Sequence, residues 1–337
     1  MADNNQSPRA QDAPLIRIED MRVHFGPVKA VDGISFDIRR GETLGLVGES
    51  GSGKTTVGRA ILRALDDIDG KLRFTLDDTS TDLRALRGEK LRAFRKHMQL
   101  IFQDPYSSLN PRMTVRDIIA EPLEAGAERL SKSEIDTRVR EIAQKCRLNL
   151  EHLRRFPHAF SGGQRQRICI ARALVSNPEF VVCDESVSAL DVSIQADILN
   201  LLMDLQDELN TTYLFIAHDL SVVAQISDRV AVMYVGQLME LTDTVTLFER
   251  PLHPYTKALF SAIPRLDPQS TFEPVRLAGD IPNPSDPPPG CRFSTRCPFA
   301  RDRCRSEQPA WREVQPGHLV ACHFAEDLAD EPRSLSR

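Results

Sequence analysis

No apolar run in the 337 residues approaches the roughly 18–20 needed to cross a bilayer as a helix. The first fourteen residues hold Asp3, Gln6, Arg9 and Asp12 and no apolar stretch, so they lack a signal-peptide core. The expectation is a cytosolic chain that reaches a membrane only by docking on a membrane protein. A formal net charge of -5 gives no global support for a nucleic-acid-binding surface. Cysteine is sparse, at 7 residues, and the four nearest the C-terminus include no C-x2–4-C pair of the kind structural zinc sites usually contain. What remains is a chain with room for one large domain and a smaller appendage.

The stretch Gly48-Glu49-Ser50-Gly51-Ser52-Gly53-Lys54-Thr55-Thr56 follows the apolar run Thr43–Val47 and precedes a helix-compatible segment, Val57 to Leu65. Strand, glycine loop and helix in that order make a P-loop. Gly48, Gly51 and Gly53 let the backbone curl so that its N–H groups, with those of Ser50 and Thr56, converge on phosphate. Lys54 then reaches the β- and γ-phosphates, and the Thr55 hydroxyl takes a place on Mg²⁺.

Three apolar strand patterns end in polar groups. Met98–Phe102 delivers Gln103, either a plain strand end or a group that meets Mg²⁺ or the attacking water. Phe180–Cys183 runs into Asp184 and Glu185, an acidic pair that is costly at a buried strand end unless it meets a cation or a water. Asp184 reads as the Mg²⁺ carboxylate and Glu185 as the group that polarises water, against a plainer reading as helix caps. Thr212–Ala217 delivers His218, structural if alone and a γ-phosphate ligand beside the other strand ends. Ser161-Gly162-Gly163-Gln164 opens a helix and forms a second anion nest. Two phosphate-grasping devices do not easily serve one triphosphate within a monomer, which suggests a site shared by two chains.

The remaining sequence frames these motifs. Residues 1–14 read as a flexible tail, and Leu15–Val23 and Ile34–Ile38 as strands, with Phe25 either an edge-strand side chain or an adenine-stacking aromatic. Residues 66–97 look like a small exposed subdomain with weak strands. Residues 104–160 read as a helical insertion, with Ser133 and Asp136 resembling a capping box. A helix over 192–209, a hairpin around Gly236 and short helices near 245–248 and 255–262 follow. Proline then dominates Asp280–Gly290. Cys291, Cys297, Cys304 and Cys322 are separated by five, six and seventeen residues. They read as ligands of an iron–sulfur cluster or of Zn²⁺, or as unligated thiols. Arg292, Arg296, Arg301, Arg303 and Arg305 could offset the charge of such a centre. Residues 263–325 thus form a Pro-rich and Cys-containing C-terminal region, and 326–337 a tail.

Residues 15–262 resemble the ATP-binding subunit of an ABC transporter, on the order and spacing of the P-loop, the Ser161–Gln164 signature, Asp184–Glu185, the Ser188–Asp191 turn and His218. Within that superfamily the chain is similar to the oligopeptide/dipeptide importer ATPases. The parallels are Ala30–Phe36, Phe102–Arg112, Val192–Gln195 and His253–Thr256, together with the terminal cysteines, which look like that family's [4Fe–4S] segment. The resemblance implies an α/β P-loop ATPase with a helical subdomain that hydrolyses ATP with Mg²⁺. It places Phe25 on adenine and Gln103 in the loop that contacts the membrane subunits. Ser161, Gly162 and Gly163 would close on ATP held by a second, homologous or identical, ATPase subunit. It also implies two transmembrane permease subunits, an extracytoplasmic solute-binding protein and a peripheral position on the cytoplasmic face of the inner membrane. Peptides are the first expectation for the solute, with nickel, glutathione or another small solute as alternatives. A soluble ABC protein of DNA repair or translation usually has tandem cassettes or a long coiled-coil insertion, and this chain has neither. One departure stands out: Ser186 occupies the place where the family usually has Pro.

Overall fold

The computed structural model describes residues 14–188, 190–261, 277 and 279–329. Of the expected tails 1–14 and 326–337, residues 1–13 and 330–337 lie outside them, as do the stretch 262–276, residue 278, and Ala189 in the turn before the 192–209 helix; within the second tail Glu326 pairs with Arg312 and Leu328 is buried.

The chain opens with β1 (Ile16–Phe25) and β2 (Val28–Ile38), an antiparallel pair joined at Gly26, whose φ is 58°. Ile16, Ile18, Met21 and Val23 are buried, as a half-covered strand requires. β3 (Thr43–Val47) is buried throughout and leads through the glycine loop into α1 (Lys54–Ile61). β4 (Asp69–Leu76) and β5 (Thr79–Asp82) complete a four-stranded sheet in the order β2-β1-β4-β5. The segment expected as an exposed subdomain is therefore part of this sheet. Leu72 and Phe74 pair with Ile18 and Ile16 and are fully buried, while the charged Lys71 before them and Arg73 between them conceal the alternation. β5 and α2 (Gly88–Phe94) bury no residue.

β6 (Met98–Ile101) precedes the helical region: α3 (Pro105–Ser108), α4 (Val115–Ala125), α5 (Lys132–Lys145) and α6 (Gly162–Leu174). The cap of α5 falls two residues earlier than the sequence suggested. Ser131 and Glu134 form the capping box, and Asp136 instead takes the Arg116 guanidinium at 2.6 Å, tying α5 to α4. The serine next to the first apolar residue of the helix competes poorly with one a half-turn earlier, because Ile135 must already lie inside the helix to reach the core.

β7 (Phe180–Asp184), α7 (Val192–Leu209), β8 (Thr212–Ile216), α8 (Leu220–Ile226) and the hairpin β9 (Arg229–Tyr234) and β10 (Gln237–Asp243) follow. After α9 (Thr244–Glu249) and α10 (Pro254–Ser261), residues 280–290 contain no helix or strand. The chain continues with α11 (Asp302–Ser306), β11 (Arg312–Gln315) and β12 (His318–Val320). The second sheet has the order β11-β12-β10-β9-β3-β8-β7-β6, parallel from β9 to β6 and antiparallel beyond. The C-terminal segment thus extends the central sheet through β12 on β10.

Both faces of that sheet are covered, so its parallel strands are apolar without alternation. Phe180, Val182, Leu214 and Ile216 face the core shared with the four-stranded sheet and α1, whereas Val181, Cys183, Tyr213 and Phe215 face the core under the helices. Strand ends are the remaining places where polar groups escape burial. In an open α/β sheet the carboxyl ends are where ligands bind.

Candidate functional site

The glycine loop leaves β3 with Gly48 at φ 150°, Gly51 at 77° and Gly53 at 105°. A Cβ on Gly48 would overlap the Met233 carbonyl and one on Gly53 the Ala30 carbonyl, so both positions require glycine by space as well as by dihedral. Ser50 and Thr56 lie within the same loop and helix start. Lys54 Nζ donates to the carbonyls of Gly48 at 2.8 Å and Glu49 at 2.9 Å. Burial pulls its pKa down, and the carboxylates of Glu185, Asp184 and Glu49 pull it back up.

β7 lies one strand from β3, separated by β8, and α1 spans the gap. Thr55 Oγ1 donates to Asp184 Oδ1 at 2.9 Å. Asp184 is 8% exposed, and burial raises its pKa, opposed first by the Thr55 hydroxyl and then by Arg59. Hydroxyl and carboxylate side by side at the loop's edge are an oxygen donor pair suited to Mg²⁺.

The next residue, Glu185, holds φ 47°, which a non-glycine adopts only when its surroundings enforce it. Its N–H donates to Ile216 O at 2.9 Å, and its carboxylate accepts from Gln103 Nε2 at 2.7 Å. His218 Nδ1 stands 3.5 Å from the same oxygen. Strands β6, β7 and β8 therefore bring Gln103, Glu185 and His218 to one point, beside Lys54, Thr55 and Asp184 on the loop side. The arrangement can grip a triphosphate and its cation and hold a water against a carboxylate. Ser186 follows with a buried hydroxyl that finds no hydrogen-bond partner among the described residues.

The second anion nest lies elsewhere. Ser161 Oγ accepts from Gln164 N, and Gln164 Oε1 accepts from Ser161 N at 3.1 Å, a capping box at the start of α6. A Cβ on Gly163 would stand 2.6 Å from Ile194 Cγ2, so α6 and α7 meet closely there. Gly162 faces the hydroxyl of Tyr106, whose ring lies beneath the Arg165 guanidinium. Among the described residues, no hydrogen bond or ion pair joins Ser161–Gln164 to the Lys54, Asp184 and Glu185 cluster. Phe25, at the end of β1, is 51% exposed.

The four cysteines come together. Cys291, Cys297, Cys304 and Cys322 line one cavity of about 20 Å³ with His253, Phe293, Phe299 and Phe324. Burial pushes the thiols of Cys291 and Cys297 up to about 12 and that of Cys322 to about 11. Among the described residues no three His, Cys, Asp or Glu side chains are grouped to hold a metal ion, so neither the expected iron–sulfur cluster nor Zn²⁺ finds support there. Four of the five neighbouring arginines make ion pairs with carboxylates. Arg292 pairs with Asp32, Arg296 with Glu49, Arg301 with Asp327 and Arg303 with Glu307.

Sequence reasoning missed the bracing of the phosphate loop from this segment. Arg296 Nη1 donates to both Glu49 oxygens, at 3.1 and 2.8 Å, and to the Tyr234 hydroxyl at 3.3 Å. The Tyr255 hydroxyl accepts from Glu49 N at 3.0 Å. The signal in the sequence was an arginine among cysteines and a tyrosine after His253-Pro254, neither of which points to a residue more than two hundred positions earlier.

A family profile described as ABC transporter matches residues 31–188, and one described as oligopeptide/dipeptide transporter, C-terminal region, matches residues 239–304. YkfD of Bacillus subtilis is 50% identical over 92% of this chain and 95% of that protein. The oligopeptide transport ATP-binding protein AppF of the same organism is 48% identical, covering 94% of this chain and 98% of that protein. Among solved structures, cbiO1 of Clostridium perfringens, part of the cbiONQ ABC transporter complex, superposes with TM-score 0.63 at 25% identity, covering 71% of this chain and 92% of that one. An ATP-binding cassette solved as a dimer in a post-hydrolysis state with ADP and Pi superposes with TM-score 0.59 at 25% identity, covering 68% of this chain and 98% of that one.

Proposed function

Because the chain belongs to the family of ATP-binding subunits of oligopeptide/dipeptide ABC transporters, we propose that it powers import of di- or oligopeptides across the cytoplasmic membrane. The ATPase is this chain's own contribution. No described helix is long and apolar enough to cross a membrane, so the solute path belongs to two separate permease subunits. An extracytoplasmic binding protein delivers the peptide, and this subunit sits peripherally on the cytoplasmic face. The observation that carries the peptide reading is the extent of the likeness, which runs past the cassette through the cysteine segment.

In the proposed cycle the loop N–H groups and Lys54 hold the β- and γ-phosphates, as the glycine dihedrals and the Lys54 position support. Thr55 and Asp184 would hold Mg²⁺, which neutralises charge developing on the phosphoryl oxygens. Glu185 orients and deprotonates the attacking water. Gln103 fixes the carboxylate, and His218 stands where the γ-phosphate ends. Phe25 is free to stack on adenine. The signature residues Ser161, Gly162, Gly163 and Gln164 are separate from this cluster, which supports their closing on ATP held by a second ATPase subunit. Closure is transmitted to the permeases through Gln103 and the helical region after it.

The four cysteines line one cavity in a segment similar to the oligopeptide/dipeptide transporter C-terminal region, and these two observations are what support a [4Fe–4S] cluster there. Thiolate ligation there would give the segment a covalent core. Iron and acid-labile sulfide in the anaerobically purified chain, absent from a Cys297→Ala variant, would support this assignment. Stoichiometric zinc would overturn it.

Anaerobic affinity purification of the chain from its own cells tests the functional reading. Two permease subunits and a related ATPase are expected to co-purify. Recovery with ribosomal or nucleic-acid partners and no permease would contradict it.

A further inference from the structure

We propose that Arg296 is a positioning residue for nucleotide binding, delivered by the cysteine-bearing segment to hold and neutralise the Glu49 carboxylate in the phosphate loop. The proposal rests on the ATPase reading above and is independent of what the four thiols carry.

Glu49 is an awkward residue for its place. It follows the first glycine of a loop whose purpose is to collect partial positive charge around phosphate. Its carbonyl accepts from Lys54 Nζ, and its carboxylate is near enough for its charge to act on that ammonium. A bound triphosphate would meet the same charge with the opposite sign of effect. Arg296 removes the conflict: its guanidinium reaches both Glu49 oxygens, and its side chain is only 10% exposed. The Glu49 side chain keeps 25% of its surface exposed, so the pair is partly shielded from water and the neutralisation is local.

Arg296 is itself held. Its guanidinium carbon lies 5.9 Å from the centre of the Tyr234 ring, and it donates to that ring's hydroxyl. Phe293, three residues earlier and fully buried, packs edge-on against Tyr234 at 5.5 Å and at a tilt against Tyr255 at 5.3 Å. Tyr255 in turn receives the Glu49 N–H. Arg292 pairs with Asp32 on β2, fixing the other end of the same short segment. Residues 292–296 therefore form a strap from β2 across β9 to the loop. Its two ends are charged and its centre is aromatic. Side chain and backbone of Glu49 are both held from outside the ABC motifs.

Two roles can be separated by charge. A purely mechanical strap would be damaged equally by removing either partner of the ion pair. A neutralising strap predicts that deleting Arg296 exposes Glu49, and that removing the Glu49 charge then repairs the defect. The test is steady-state ATP hydrolysis by the assembled transporter over a range of ATP concentrations, with R296A, R296K, R296Q and the double variant R296A/E49Q. R296A is expected to raise KM for ATP about tenfold while kcat changes less than about threefold, the signature of lost binding rather than lost chemistry. R296K, which keeps the charge, is expected to stay near the parent. R296A/E49Q is expected to recover more than half of the loss. An unchanged KM in R296A, or a double variant no better than R296A, would overturn the proposal. Should R296A fail to assemble, R296Q and R296K decide the matter: equal KM values in those two would equally overturn it. Failure of the ATPase reading would look different, since the parent complex itself would not turn over ATP.

Discussion

Replacing Glu185 by glutamine keeps the shape of the side chain and one oxygen able to accept from Gln103 Nε2, now 2.7 Å away. It removes the charge proposed to draw a proton from water. The groups that grip nucleotide, Lys54, Thr55 and the loop N–H groups, make no hydrogen bond to Glu185, so their geometry should survive. A positioned general base is worth about 10²–10⁴ in rate, or about 3–5 kcal/mol of barrier. Steady-state hydrolysis by the assembled transporter should therefore fall at least about a hundredfold in Glu185→Gln. Equilibrium ATP binding should change less than about threefold, because only the chemical step is affected. The bound state should accumulate as unhydrolysed ATP in a closed pair of ATPase subunits, detectable by single-turnover quench. A variant that hydrolyses within tenfold of the parent would refute the role given to Glu185. Loss of ATP binding would instead show that its carboxylate supports the loop.

Other groups are equally exposed to test. Burial holds the Asp184 carboxyl above its ordinary range, so acidification should neutralise it in the fold earlier than an exposed aspartate. Sign follows: Mg²⁺ needs the anion, so the Mg²⁺ concentration for half-maximal hydrolysis should rise as pH falls through that raised value, and a flat response down to the usual aspartate range would contradict it. Gly53→Ala should abolish detectable ATP binding, since φ 105° and the Ala30 carbonyl both exclude a Cβ; isothermal titration showing near-parent affinity would refute this. Glu240, fully buried, accepts from Leu252 N at 2.6 Å, His253 N at 3.0 Å and His318 Nε2 at 2.7 Å. Glu240→Ala leaves three buried donors unpaired and should cost about 3–5 kcal/mol, read as a lower thermal midpoint; an unchanged midpoint would refute that accounting.

The motif-bearing half of this molecule was legible because each motif sits where the chain has no alternative. A P-loop needs a buried strand before it and a helix after it, and Thr43–Val47 and Val57–Leu65 supply both in sequence. The strand ends at Gln103, Asp184 and His218 were legible for the same reason, since an uninterrupted apolar run stopping at a polar residue marks the edge of a covered sheet. Two kinds of feature escaped. The strand at Asp69–Leu76 hides two core residues among Lys71, Arg73 and a run of aspartates, so composition outvoted alternation. The contacts of the cysteine segment are long-range: Arg296 with Glu49, Arg292 with Asp32, and β12 with β10 join parts that no local pattern relates. The pairing of arginines with carboxylates rather than with the thiols is visible only once the backbone brings them together.

The central claim is that this ATPase drives peptides inward through partner permeases. Its most direct test is uptake of labelled di- and oligopeptides into proteoliposomes holding the purified permeases and this chain with its partner ATPase. Substrate-binding protein is supplied outside and ATP is enclosed with the ATPase face. The account predicts peptide accumulation that requires ATP and is lost with Glu185→Gln. Steady ATP hydrolysis with no accumulation of any peptide, in vesicles that do concentrate nickel or glutathione, would contradict it.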